Sequence, residues 1–389
     1  MTEQVTPGYR ATVLTLAAIA AMGSMAIHML VPALPLIAAD FAIGEAKAQQ
    51  VVSVYLAGLA GGQLLAGPLI DRIGRRPVML AGLALFILGG VVAGIAPDPQ
   101  SLLLARLVQA AGGACGVVTA RVMVGDVFGP ERAAGVQATL MTIVLISPAV
   151  APVIGGTVAD LAGWRAVFVM LALAGGAALL AAWKRLPETG TRENRPGGRG
   201  LAASYAKLAR NRQFVLTVAT LGAASSGLYM FLGAAPFLLV HRFGLTSGEA
   251  GLALLWVAGA SIFGTRLVVP VERHFSALIV GTASSAMGAT AALVLALGGI
   301  EGVVPLIAPV MLLGLGAGLA GPVAFNAVAF SEAGLAATAT SLAGALQMLA
   351  SGSAMTLLGL VAPIDPLRLA LALVTTTWTA LLCALARLR

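Results

Sequence analysis

Two ionisable side chains stand inside apolar runs long enough to cross a bilayer. Arg106 lies about five residues into the run 101–122, in Leu104-Ala105-Arg106-Leu107-Val108-Gln109-Ala110-Ala111-Gly112-Gly113. In a helix that is roughly 7–8 Å below the outer edge. A charge at that depth normally faces a cavity or a partner; otherwise it stretches back to the interface. His28 lies 17 residues beyond Ala11 in the run 11–34. That is about 26 Å along a helix, a similar outer depth. An imidazole exchanges a proton near neutral pH, so His28 and Arg106 are candidates for proton coupling. A hydrogen-bonded histidine lining a cavity fits the same residue. No Asp or Glu occupies the middle of any span, and Asp40 is one of the acids beyond them that also compete for the role.

A second constellation is the stretch Gly67-Pro68-Leu69-Ile70-Asp71-Arg72-Ile73-Gly74-Arg75-Arg76-Pro77. Val51 to Ile70 and Pro77 to Ala96 carry no charge. Each is close to the ~20 residues a helix needs to cross the hydrocarbon core. The stretch is therefore a tight turn between two membrane helices. Asp71 falls at the C-terminal end of its helix, where the dipole favours Arg72, Arg75 and Arg76 and disfavours an anion. It needs a partner, either an arginine or the N-terminus of another helix. Gly67 and Gly74 let backbones approach closely or turn sharply.

Pro148 and Pro152 in the run 134–158 each remove an internal hydrogen bond and bend the helix. Gly155 and Gly156 follow them and permit close packing on a neighbour. Candidates for lining a mostly apolar cavity are Met25, Met29, Tyr55, Gln109, Tyr229, Phe231, Phe237 and Gln347. Methionines and aromatic faces suit varied apolar or cationic compounds, and ordinary helix packing uses the same residues.

The elements that must position these groups follow from composition. Of 389 residues, 59% are hydrophobic and 10% charged, too few polar groups to keep a soluble protein dissolved. Twelve spans fit, near 11–34, 51–70, 77–96, 101–122, 134–158, 164–183, 213–237, 250–269, 276–298, 304–327, 338–361 and 366–386. Sixteen of the 23 Lys and Arg residues fall on one side of these spans and four on the other. That asymmetry places both termini in the cytoplasm and accounts for the net charge of +8 without nucleic acid. Residues 184–212 carry eight basic residues and read as a cytoplasmic linker, helical from about Ala202. They join a bundle over 1–183 to a bundle over 213–389.

Enzyme chemistry is excluded by the same residues. Three scattered histidines and no mid-span acid supply no catalytic set. Cys115 and Cys383 lie in apolar runs and support neither a disulfide nor a metal site. No phosphate-binding loop is present, and no cofactor is expected.

The order G-x-L-x-D-R-x-G-R-R-P at Gly67–Pro77 resembles the loop between helices 2 and 3 of the major facilitator superfamily. The resemblance implies an all-α membrane protein of twelve transmembrane helices in two six-helix bundles. It also implies a latch formed by Gly67, Asp71, Arg72, Gly74, Arg75 and Arg76 with Arg121 and Asp126. Arg106 to Gly113 resembles the family's R-x-x-Q-G in helix 4, with Ala110 in place of its glycine. Ser147 to Gly156 resembles the G-x-x-x-G-P-x-x-G-G of drug exporters, with Ser147 and Ala151 at the first two glycine positions. With Val31-Pro32-Ala33-Leu34-Pro35, Gly163-Trp164-Arg165 and Ala234-Ala235-Pro236-Phe237, the chain looks like the bicyclomycin and chloramphenicol resistance exporters of the Bcr/CflA type. His28 stands where that group commonly has an aspartate. The resemblance implies a monomeric drug:proton antiporter of the bacterial inner membrane, working on small amphipathic compounds. The missing aspartate keeps a metabolite or sugar exporter, or a uniporter, as the alternative.

Overall fold

A computed structural model describes residues 7–189, 199–332, 335–361 and 363–387. The elements are α1 (Pro7–His28), α2 (Leu34–Asp40), α3 (Glu45–Ile73), α4 (Arg75–Gly94), α5 (Pro99–Ala162), α6 (Trp164–Arg185) and α7 (Arg199–Arg210). There follow α8 (Arg212–Phe237), α9 (Ser247–Glu272), α10 (Ala277–Leu297), α11 (Val303–Ala329), α12 (Ala336–Gly359) and α13 (Pro366–Ala386). Among the described residues, eleven helices are long and apolar enough to span, and the shorter apolar piece Ile146–Ala162 supplies the twelfth crossing.

Two elements differ from the spans expected. The run 11–34 is not one helix. Pro32 has no N–H for the carbonyl of His28 four residues earlier, so α1 ends at His28 and the chain passes through a tight turn over Val31–Ala33 into α2. The runs 101–122 and 134–158 are joined in one helical stretch of 64 residues. At ~1.5 Å per residue that is about three bilayer cores long. Gly129, at φ 68° and ψ 170°, folds it into two crossings.

The N-terminal bundle packs α4 on α5 and α6, and α1 and α3 on α5. The C-terminal bundle packs α10 on α11 and α13, and α8 on α12 and α13. Small residues set the spacing at matching places. Gly112 of α5 lies against the Gly82 carbonyl of α4, and Gly316 of α11 against the Gly281 carbonyl of α10. Any β-carbon at these positions would collide with backbone. Large apolar side chains such as Leu65, Leu104, Leu173, Trp256 and Leu297 stay exposed. A soluble chain would hide them, whereas acyl chains accept them. The bundles meet where α3 packs on α12 and α5 on α9. The face of the molecule carrying α7 is called the linker face, and the opposite one the far face.

Candidate functional site

Arg106 lies wholly inside the N-terminal bundle and reaches no surface. Its Nη1 donates to Gln109 Oε1 at 2.7 Å, one turn along α5. Its Nη2 donates to the Ala26 carbonyl of α1 at 3.1 Å, and its Nε to the Val51 carbonyl of α3 at 3.3 Å. The guanidinium lies 3.8 Å from the centre of the Tyr55 ring. The Ala26 carbonyl is available because α1 stops two residues later: Leu30 N turns to Ile27 O at 3.2 Å instead. Arg106 therefore caps the broken helix and ties α1, α3 and α5 together. Its charge is met by carbonyls and an aromatic face, with no carboxylate bonded to it among the described residues.

His28 ends α1 and points elsewhere. Its Nδ1 lies 2.8 Å from the Ser24 carbonyl, which only accepts, so Nδ1 carries the proton of the neutral ring and Nε2 is the basic nitrogen. Ser24 Oγ also lies 2.7 Å from Ser147 Oγ of α5. The imidazole centre is 6.3 Å from that of Tyr229 on α8, so His28 sits at the junction of the two bundles. The structure places Arg106 and His28 at one depth, through the Ala26 carbonyl, but no hydrogen bond joins their side chains. Ser24 and Ser147 complete the junction. Sequence reasoning passed over Ser24 entirely and read Ser147 only as a stand-in for glycine.

At the linker face, Gly74 alone turns α3 into α4, at φ 110°. The first two amides of α4 are taken by one carboxylate: Arg75 N donates to Glu188 Oε1 at 2.9 Å and Arg76 N to Glu188 Oε2 at 3.2 Å. Helix N-termini attract anions in this way. Arg75 Nε pairs with Asp126 Oδ2 at 3.0 Å, Thr189 Oγ1 donates to the same oxygen at 2.9 Å, and Arg76 Nη2 donates to the Trp183 carbonyl at 2.7 Å. These contacts knit α4, α5 and the end of α6 within one bundle. Arg72 is exposed and Arg121 half-buried, Gly67 has open space beside it, and the side chain of Asp71 lies outside the described residues. Glu188, which the sequence reading gave no role, caps this helix N-terminus.

At the far face some contacts stay within one bundle, such as Arg165 Nη1 of α6 donating to Asp40 Oδ2 of α2 at 2.6 Å, and others cross between bundles. Gly155 of α5 lies against the Met29 carbonyl of its own bundle, whereas Gly156 lies against the Ser247 carbonyl of α9 and Gly251 of α9 against the Pro152 carbonyl. Pro148 and Pro152 lie in the stretch that makes this approach. One turn beyond Gly156, Asp160 accepts from Ser247 N at 3.0 Å and Gly248 N at 2.6 Å. Glu45 of α3 lies 3.9 Å from His241, just after α8. The interface between bundles is closed at the far face.

Residues 14–355 match the Major Facilitator Superfamily. The chain belongs to the major facilitator superfamily. It is 31% identical over 321 residues to a chloramphenicol resistance protein of Pseudomonas aeruginosa, covering 81% of this chain and 76% of that one. It is 30% identical over 344 residues to multidrug resistance protein D of Escherichia coli strain K12, covering 87% and 86%. A solved bacterial homologue of the human lysosomal transporter Spinster superposes with a TM-score of 0.78 at 15% identity, over 98% and 96% of the two chains, and shares the fold.

In this facilitator chain the residues expected to line a cavity divide into two groups. Met25 and Gln347 are half-buried, and Tyr229, buried like the rest, faces His28. Met29, Tyr55, Gln109, Phe231 and Phe237 are buried, Tyr55 and Gln109 around Arg106. Among the described residues no cluster of three His, Cys, Asp or Glu is placed to hold a metal.

Proposed function

We propose that this facilitator exports small amphipathic, drug-like compounds across a bacterial inner membrane in exchange for protons, by alternating access. The linker face is cytoplasmic, as the Lys and Arg census requires, and residues 1–183 and 213–389 move as two bodies joined by 184–212. The observation that carries the substrate class is identity near 30%, along most of both chains, to relatives named for chloramphenicol and multidrug resistance. His28 supplies the proton site: an imidazole between the bundles with its Nε2 free of any hydrogen bond among the described residues. Arg106 acts on it indirectly, by fixing the end of the helix that carries it. Met25 and Gln347 contribute to the substrate path, and the buried members of the set, Tyr229 among them, join it only when the bundles move.

Inverted membrane vesicles with an acidified lumen and a pH-sensitive dye test this reading, with chloramphenicol and a cationic antibiotic as substrates. Substrate-dependent alkalinisation of the lumen is the expected result. Movement of labelled substrate with no pH response supports a uniporter, and movement of a sugar or metabolite alone supports the alternative substrate class.

A further inference from the structure

The N-terminus of α9 divides its unbonded amides between two sources. A helix start leaves its first N–H groups without intrahelical acceptors. In α9 a capping box settles two of them: Glu249 N donates to Thr246 Oγ1 at 3.2 Å, and Thr246 N donates to Glu249 Oε2 at 2.8 Å. The amides between them, Ser247 N and Gly248 N, are bonded by Asp160, which belongs to the other bundle. A β-carbon on Gly248 would sit 2.9 Å from Asp160 Oδ2, so a side chain there would displace the carboxylate from its present position. The glycine contacts that bring α5 onto α9 lie one turn away on the same helix, at Gly156, and at Gly251 on its partner. The α4 N-terminus is capped on its first two amides by Glu188 in the same manner, but from its own bundle.

We infer that Asp160 is the catch of the outer gate, a positioning residue of the transport cycle whose cap on Ser247 and Gly248 forms when the far face closes and gives way to water when it opens. The inference rests on the alternating-access reading above, but not on the identity of the substrate. Separating the bundles at this face must break both hydrogen bonds, because donor and acceptor belong to different bodies. The Glu188 cap survives the same motion. Asp160 is solvent-exposed, so water competes for the freed groups and the catch biases the equilibrium without fixing it. Losing it should shift the outward-open population about fivefold.

The test is a distance measurement on the full-length chain in nanodiscs. Spin labels go on cysteines replacing the exposed Leu161 and Leu252, with both native cysteines replaced. Asp160→Ala is expected to raise the long-distance, outward-open fraction about fivefold, and Asp160→Glu to restore part of the short-distance fraction. Gly248→Ala, which crowds the same contact from the other helix, should shift the distribution in the same direction as Asp160→Ala. If Asp160→Ala folds poorly, Gly248→Ala carries the test alone. Unchanged distributions in a folded Gly248→Ala or Asp160→Ala protein overturn the proposal. A shifted distribution in a protein that moves no antibiotic leaves the catch standing and removes the drug-export reading instead.

Discussion

Arg106 shows how a buried cation is held in a bilayer with no carboxylate bonded to it among the described residues. Its donors reach a helix-end carbonyl, a mid-helix carbonyl and an amide oxygen, and its face lies on Tyr55. Arg106→Ala would leave Ala26 O and Gln109 Oε1 buried without donors. At roughly 1–3 kcal/mol per orphaned group, a loss of about 2–6 kcal/mol is expected, seen as a lower thermal midpoint in detergent. Arg106→Lys should recover little of it, because an ammonium reproduces neither the planar fork nor the stacking. His28 makes a different prediction, since its role is in coupling. His28→Gln should leave the protein folded and able to bind substrate while abolishing the substrate-dependent pH signal in vesicles. A wild-type signal from His28→Gln would move the proton elsewhere, with the far-face acids next in line.

At the scale of elements, three glycines with positive φ make three of the five reversals between crossings in the N-terminal bundle: Gly74, Gly129 and Gly163. Gly74 has the strictest requirement. At φ 110° a side chain is strained, and its β-carbon would lie 2.9 Å from Glu188 Oε2. Gly74→Ala is expected to destabilise by about 2 kcal/mol through strain and eviction of Glu188 from the α4 N-terminus. Combined with Glu188→Gln it should be less than additive, because both changes remove the same cap. The neighbouring Arg75–Asp126 pair keeps 17% and 29% of its side-chain surface exposed. A double-mutant cycle in thermal unfolding should return a coupling of about 0.5–1 kcal/mol. A coupling of zero would make the pair two solvated charges.

At the scale of the molecule, much of the plan could be read from spacing alone. Charge-free runs located the crossings, and the Lys and Arg census separated two faces. Depth was legible as well: residue counting put His28 and Arg106 at one level, and the Ala26 carbonyl links them there. Direction around the helix was not legible. Helices apolar on every side give no periodic clue to which face meets lipid, bundle core or partner bundle, so counting could not show that the two side chains point apart. The far-face contacts were hidden for another reason. Asp160 and Glu45, like Glu188 at the linker face, look like ordinary loop-end acids until folding brings a helix N-terminus or a histidine from a distant segment against them.

Arg106 also has a consequence for energetics across the membrane. A unit charge crossing the full potential gains or loses about 2.3 kcal/mol per 100 mV. Arg106 is bonded to three helices of one bundle and travels with it as that bundle tilts. Any component of the tilt along the field therefore does electrical work. Even an empty carrier would then rest at a different point in its cycle in an energised membrane than in a depolarised one.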